Sequence, residues 1–328
     1  MAGMIVPRYW AEGRVREKKG GRQVTVRRWG WSDENAEQAQ RHADSRAKDA
    51  LQRILDGEAL QRRERRVAYN GADGVPIREE IVSSHGDTII TRNAYGALCL
   101  NTPDVLFADV DFGARRLGCG TLAWFAVASA AAATLFATRN RFMVGIAAAM
   151  ASLVLVSVAW TLFQRLKTGA AGGAEAEARK RVARFAKAHP GWTLRVYRTP
   201  AGLRVLVVHR LFEPTSRETA EFFHALGTDP VYIRMCVKQH CFRARVSPKP
   251  WRVGIGDHVK PRPGIWPLTP SKLAERRKWV ARYEEACRGY NSCRYLETLG
   301  SGAEDPSAAK VRALHDELSG ALGSLPLA

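Results

Sequence analysis

The chain has 328 residues, enough for about two domains, and its 46% hydrophobic content with 9 Trp excludes a disordered protein. A formal charge of +19 points to a polyanionic neighbour, either nucleic acid or anionic headgroups. Six cysteines, Cys99, Cys119, Cys236, Cys241, Cys287 and Cys293, are too few for a disulfide scaffold and fit reduced thiols in a cytoplasmic compartment.

Met1–Trp10 has no apolar run of signal-peptide length. Ser32 and Asp33 precede an Ala/Leu/Ile stripe that ends at Gly57, which predicts an amphipathic helix over Ser32–Asp56. The period then changes. Glu80–Ser84, Thr88–Arg92 and Val105–Phe112 read as strands, bounded by His85-Gly86-Asp87 and Asn101-Thr102-Pro103. The last of these carries Asp109 and Asp111 on one face, where two carboxylates could hold Mg²⁺ or Mn²⁺ against nucleotide phosphates, or else cap the strand beside Arg115 and Arg116.

Leu117–Thr138 and Phe142–Phe163 are each 22 residues without a charge. That exceeds the roughly 20 residues that cross a hydrocarbon core. Only Arg139, Asn140 and Arg141 separate them, so the expectation is a transmembrane hairpin that returns the chain to the side it entered from. Arg115, Arg116, Arg165 and Lys167 flank the pair, which leans both termini to the cytoplasmic side of the inner membrane in a two-pass arrangement. The Ala-rich stretches Ala128–Ala133 and Gly145–Ala151 would allow close helix approach, within the hairpin or in a homo-oligomer. Neither span holds an ionisable residue, against a transporter or proton relay.

Beyond a Gly/Ala linker, Thr168–Ala174, a charged helix is expected over Glu175–Ala188, stopped by Pro190-Gly191. Strands over Trp192–Arg198 and Leu203–Arg210 are joined by the turn Thr199-Pro200-Ala201-Gly202. A helix capped near Thr215 or Ser216, a short helix Pro230–Val237 and a strand Cys241–Ser247 follow. With the hairpin set aside, the order from Val105 is βαββαβ, so the expected fold is α+β: a ferredoxin-like cytoplasmic domain interrupted by the transmembrane hairpin. The expected divisions are an N-terminal part over 1–113, the hairpin over 114–164, the rest of the domain over 165–268 and a helical region over 269–328. In that last region Pro270–Cys287 is basic and amphipathic, and Pro306–Leu322 is a tail helix.

From Val231 to Gly256 the chain carries Arg234, Lys238, Arg243, Arg245, Lys249 and Arg252 and no acid, interleaved with Tyr232, Phe242 and Trp251. Such a surface could pair phosphates and stack bases, or face lipid headgroups or solvent. Cys236-x4-Cys241 and Cys287-x5-Cys293 are looser than usual zinc pairs and argue against zinc. His189, His209 and His258 lack a partner motif and read as structural.

Asp109-Val110-Asp111 at the end of a hydrophobic strand resembles the first motif of the archaeo-eukaryotic primase and primase-polymerase superfamily. Thr199-Pro200-Ala201-Gly202-Leu203-Arg204-Val205 stands where that family has a second motif, with Val205 at the position of its histidine and His209 four residues further on. The family's third motif is an acid on the last core strand; Cys241–Ser247 has none, and Asp257 is nearest. The resemblance covers about half the chain and implies metal-dependent nucleotidyl transfer, with Asp109 and Asp111 holding metal and Thr199, Gly202, Arg204 and His209 at the nucleotide. Asp109-Val110-Asp111-Phe112 also resembles the metal-binding strand of nucleotide cyclases, and the whole chain is similar to uncharacterised bacterial membrane proteins. The leading expectation is a membrane-anchored nucleotide- or nucleic-acid-binding protein. Its alternatives are a non-catalytic membrane scaffold with a lipid- or partner-binding basic surface, and a cyclase-like signalling enzyme.

Overall fold

The computed structural model describes residues 6–19, 22–64, 76–112, 173–262, 264 and 266–328. Among them the chain is α+β, with strands in three sheets. The described residues fall into two compact units, one holding those of 1–110, 185–200 and 204–328, the other 111–112, 173–184 and 201–203.

The N-terminal segment is a ribbon that the sequence reading did not expect. Strands β1 (Tyr9–Lys19) and β2 (Arg22–Ser32) pair antiparallel, Tyr9 opposite Ser32 and Val15 opposite Val26. Helix α1 (Ala36–Leu55) lies on one face, started by Asn35, whose side chain accepts from the Gln38 amide. Its stripe of Ala39, Ala43 and Ala47 is fully buried, because the ribbon offers Gly13 and Gly30 beneath it. A Cβ at Gly30 would stand 2.1 Å from the Ala43 nitrogen, so helix and ribbon meet backbone to backbone.

A second sheet has the order β3 (Glu80–His85), β4 (Thr88–Arg92), β5 (Leu98–Thr102), β9 (Phe242–Arg245). The third runs β10 (Arg294–Leu299), β7 (Leu194–Arg198), β8 (Gly202–Val207), β6 (Phe107–Asp111). Between β6 and β7 lies helix α2 (Gly173–Ala188). Its Phe185 packs edge-on against Trp192 and against Phe222 of α3 (Arg217–Leu226). Ser216 caps α3 and left-handed Gly227 ends it. Helix α4 (Pro230–Gln239) starts at Asp229, and α5 (Leu273–Cys287) and α6 (Pro306–Ser319) complete the chain.

Two expectations are corrected. The ferredoxin-like sheet is not formed, because β9 pairs with β5, Cys99 opposite Arg245, and so belongs to the second sheet. The Tyr232 phenol stands between β6 and β9, donating to the Phe107 carbonyl at 3.0 Å and accepting from the Arg243 amide at 3.3 Å. It takes up groups that direct strand pairing would use.

The second correction concerns the membrane. Among the described residues no helix is long and apolar enough to cross a bilayer. The longest, α1, has 20 residues and carries charges along its length, including Arg41, Asp44, Arg46, Lys48, Asp49 and Arg53. The spans expected over Leu117–Thr138 and Phe142–Phe163 lie within 113–172, outside the described residues. A transmembrane hairpin, and with it a two-pass inner-membrane protein with cytoplasmic termini, is therefore not supported.

Candidate functional site

Asp109 and Arg204, expected at metal and nucleotide respectively, form an ion pair with each other. The Arg204 Nε lies 2.9 Å from one Asp109 oxygen and its Nη2 3.5 Å from the other. Arg204 is 2% exposed and also donates through Nη1 to the Arg245 carbonyl at 2.8 Å and to His315 Nε2 at 3.3 Å. A guanidinium cannot accept, so His315 Nε2 is the acceptor and the ring proton sits on Nδ1, 3.0 Å from Asp316. Burial, opposed by the Asp316 hydrogen bond, holds the His315 pKa below its ordinary value. Asp316 also meets Arg195 at 2.9 Å.

Cys293 lies 3.9 Å from His315 Nε2, which gives the order Cys–His–Asp that nucleophilic catalysis uses. Here it is interior packing. Cys293 and His315 are fully buried, the thiol donates to Ser319 at 3.2 Å, burial pushes its pKa up, and Arg204 already occupies His315 Nε2.

The other expected residues scatter. Asp111 is exposed at the end of β6, Thr199 and Gly202 are buried at the turn between β7 and β8, and Val205 is fully buried. His209 packs on Trp192 and Phe212 and accepts from the Thr193 amide, so it is a packing residue. Arg243 is paired at 2.6 Å with Glu79, and Arg245 is half-buried. Arg234 and Lys238 are exposed on α4. Among the described residues no group of three or more His, Cys, Asp or Glu is placed to hold a metal ion, and the five described cysteines are free thiols.

Lys249 and Arg252 flank the most exposed aromatic side chain of the described residues, Trp251, at 49%. Pro250–Arg252 forms one 3₁₀ turn, closed by the Val253 and Ile255 amides on the Pro250 carbonyl. The loop then inserts Val253, Ile255 and Val259 into a cluster with Trp279 and Tyr283 of α5. With its apolar residues committed inward, the loop presents Trp251 outward. The Lys249 ammonium lies 5.3 Å from the centre of the indole, Tyr95 5.4 Å and His258 5.8 Å.

Tyr95 comes from the β4–β5 turn, which Asn93 folds by accepting from the amides of Tyr95, Gly96 and Ala97. Gly96, at φ +107°, rests on Trp279, and a Cβ there would stand 2.2 Å from the indole. Helix α5 therefore supports both halves of the platform. Trp279 underlies the Tyr95 turn, and Tyr283 donates to the Pro248 carbonyl at 2.6 Å before the Trp251 turn. Trp251 and Lys249 belong to the basic, aromatic run from Val231 to Gly256, whereas Tyr95 lies outside it and His258 has no partner motif in the sequence. Asn93-Ala94-Tyr95-Gly96 was the available signal, an Asx-type turn with an aromatic at its tip. Compared with protein-family models, curated proteins and solved structures, the chain matches none.

Proposed function

We propose that this protein binds single-stranded nucleic acid on the platform of Trp251, Tyr95, His258 and Lys249. The observation that carries the reading is the exposed Trp251 ring, held on a rigid turn with a cation and two further rings beside it. An unstacked base has a flat face to lay on the indole, and the adjoining phosphate meets Lys249; stacking of this kind contributes about 1–3 kcal/mol per base and tolerates any sequence. Further support comes from the +19 charge, which favours approach of a polyanion. The interior network contributes rigidity, since its charged groups are directed at one another.

The test is binding of labelled oligothymidine by fluorescence anisotropy, native chain against Trp251→Ala. Affinity should fall by about tenfold, the lower half of the stacking range, with the melting temperature unchanged. Equal affinity of the two proteins would sink the reading.

A further inference from the structure

The outer face of the β1–β2 ribbon carries a second, separate charge pattern. Residues paired across an antiparallel ribbon share a face. The register therefore sets Arg14 opposite Arg27, Arg16 opposite Thr25 and Lys18 opposite Gln23 on the face away from α1. The helix side takes Gly13, Val15, Val24, Val26 and Gly30. Toward the other end of the outer face, Trp10 and Trp29 are covered by the Arg78 guanidinium, 3.6 Å from the Trp29 ring centre. From Arg14 to Lys18 the face is open: Arg14, Arg16 and Lys18 are exposed and Arg27 half-buried.

We propose that this face grips the phosphate backbone of double-stranded nucleic acid. Alternate positions on a strand stand about 7 Å apart, so Arg14, Arg16 and Lys18 form a row, and Arg27 adds a fourth cation from the second strand. Among the described residues of the two strands, Glu12, 3.7 Å from Arg27, is the one acid on this face. Setting Arg14 directly across from Arg27 disfavours the pair on its own, and an anionic partner removes that penalty. A row of cations fits a polymer better than a mononucleotide. No exposed aromatic or aliphatic side chain interrupts the row between Arg14 and Lys18, so this stretch of the face lacks both the stacking platform a single strand uses and the apolar anchors of a protein interface.

This inference is independent of the Trp251 reading, and one experiment separates them. Binding of a mixed-sequence DNA duplex is measured against salt for the native chain, Arg14→Glu/Lys18→Glu, the milder Arg14→Gln/Lys18→Gln, and Trp251→Ala, with melting curves for each. The Glu pair should lose at least tenfold in duplex affinity. The Gln pair should lose less, and should flatten the dependence of log K on log salt by about 1.8, at 0.9 per phosphate contact. Trp251→Ala should bind duplex as the native chain does. Native-like duplex binding by folded Gln and Glu pairs would overturn the proposal, as would absence of duplex binding by the native chain. So would equal affinity for polyglutamate, which would mark an acidic protein as partner. None of these results bears on the Trp251 platform, which is read on oligothymidine.

Discussion

The Arg204 network and the Trp251 platform use similar residue types to opposite ends. In the first, a guanidinium, a histidine, two carboxylates and a thiol converge, and each meets another protein group: Arg204 with Asp109 and His315, His315 with Asp316, Cys293 with Ser319. In the second, a large ring lies open to solvent with Lys249, Tyr95 and His258 around it, while its supporting loop buries Val253, Ile255 and Val259. The density of reactive side chains is thus a poor guide to function in this chain. Groups saturated by their neighbours stabilise, whereas a group held rigid and left exposed is available to a ligand.

The sharpest way to break the comparison is to unbalance the interior. Asp109→Asn leaves the buried Arg204 charge uncompensated, and unfolding free energy should fall by about 3 kcal/mol in urea denaturation. Adding Arg204→Met should recover part of that loss in a double-mutant cycle. A single-variant effect below about 1 kcal/mol, the range of an exposed pair, would show that the network is not a unit. Oligothymidine affinity should stay native in the folded fraction of either variant.

The platform should answer differently to a change at its support. Gly96→Ala puts a Cβ into Trp279 and a side chain at φ +107°. Strain of that kind costs on the order of 2 kcal/mol. Because the same turn carries Tyr95, oligothymidine binding should weaken too. A stability loss with native binding would take Tyr95 out of the site.

Acid should weaken the interior. The folded-state pKa of His315 is depressed, so the unfolded chain takes up its proton first. Its contribution is therefore present above the ordinary histidine value of 6.5 and is lost as pH falls below it. His209, also depressed, acts in the same direction. Asp316, held below its ordinary 3.8 by hydrogen bonds from His315 and Tyr197 despite burial, adds its loss only at lower pH. One such histidine gives a slope of at most about 1.4 kcal/mol per pH unit. His315→Gln can accept from Arg204 and donate to Asp316, and should flatten stability between pH 6.5 and 5 relative to the native chain; an unchanged slope would show that His315 titrates normally.

Local structure was legible where a strong periodicity met a clear stop. Ser216 and Gly227 bracket α3, Asp229-Pro230 starts α4, and the Val105–Phe112 run contains β6. The β1–β2 ribbon was missed because Arg14-Val15-Arg16 alternates with charges on its open face, while the helix-facing positions include small Gly13 and Gly30. Edge strand β10 is mostly half-exposed and has no apolar run to announce it. Strand partners were least legible. Nothing local in Phe242–Arg245 distinguishes pairing with β5 from pairing with β6; the Tyr232 phenol, ten residues earlier, stands in the second position. At the site, Trp251 and Lys249 could be read from composition, but Tyr95 arrives from a turn more than a hundred residues upstream, brought there by Gly96 packing on Trp279.

The smallest effect is also the cleanest discriminator between the two regions. Lys249 lies beside the Trp251 ring at the surface, so Lys249→Gln should leave the melting temperature unchanged, as expected for a half-buried polar position away from the core. If the ammonium meets a phosphate, oligothymidine affinity should fall by a few-fold at low salt, and the slope of log K against log salt should drop by about 0.7, the value of one single-strand phosphate contact. The two readouts must move together. Loss of affinity with an unchanged slope would assign Lys249 to holding the indole through its cation–π contact, leaving stacking on Trp251 as the source of binding. An unchanged affinity and slope would remove the cation from the site, and the platform would then recognise bases without the backbone.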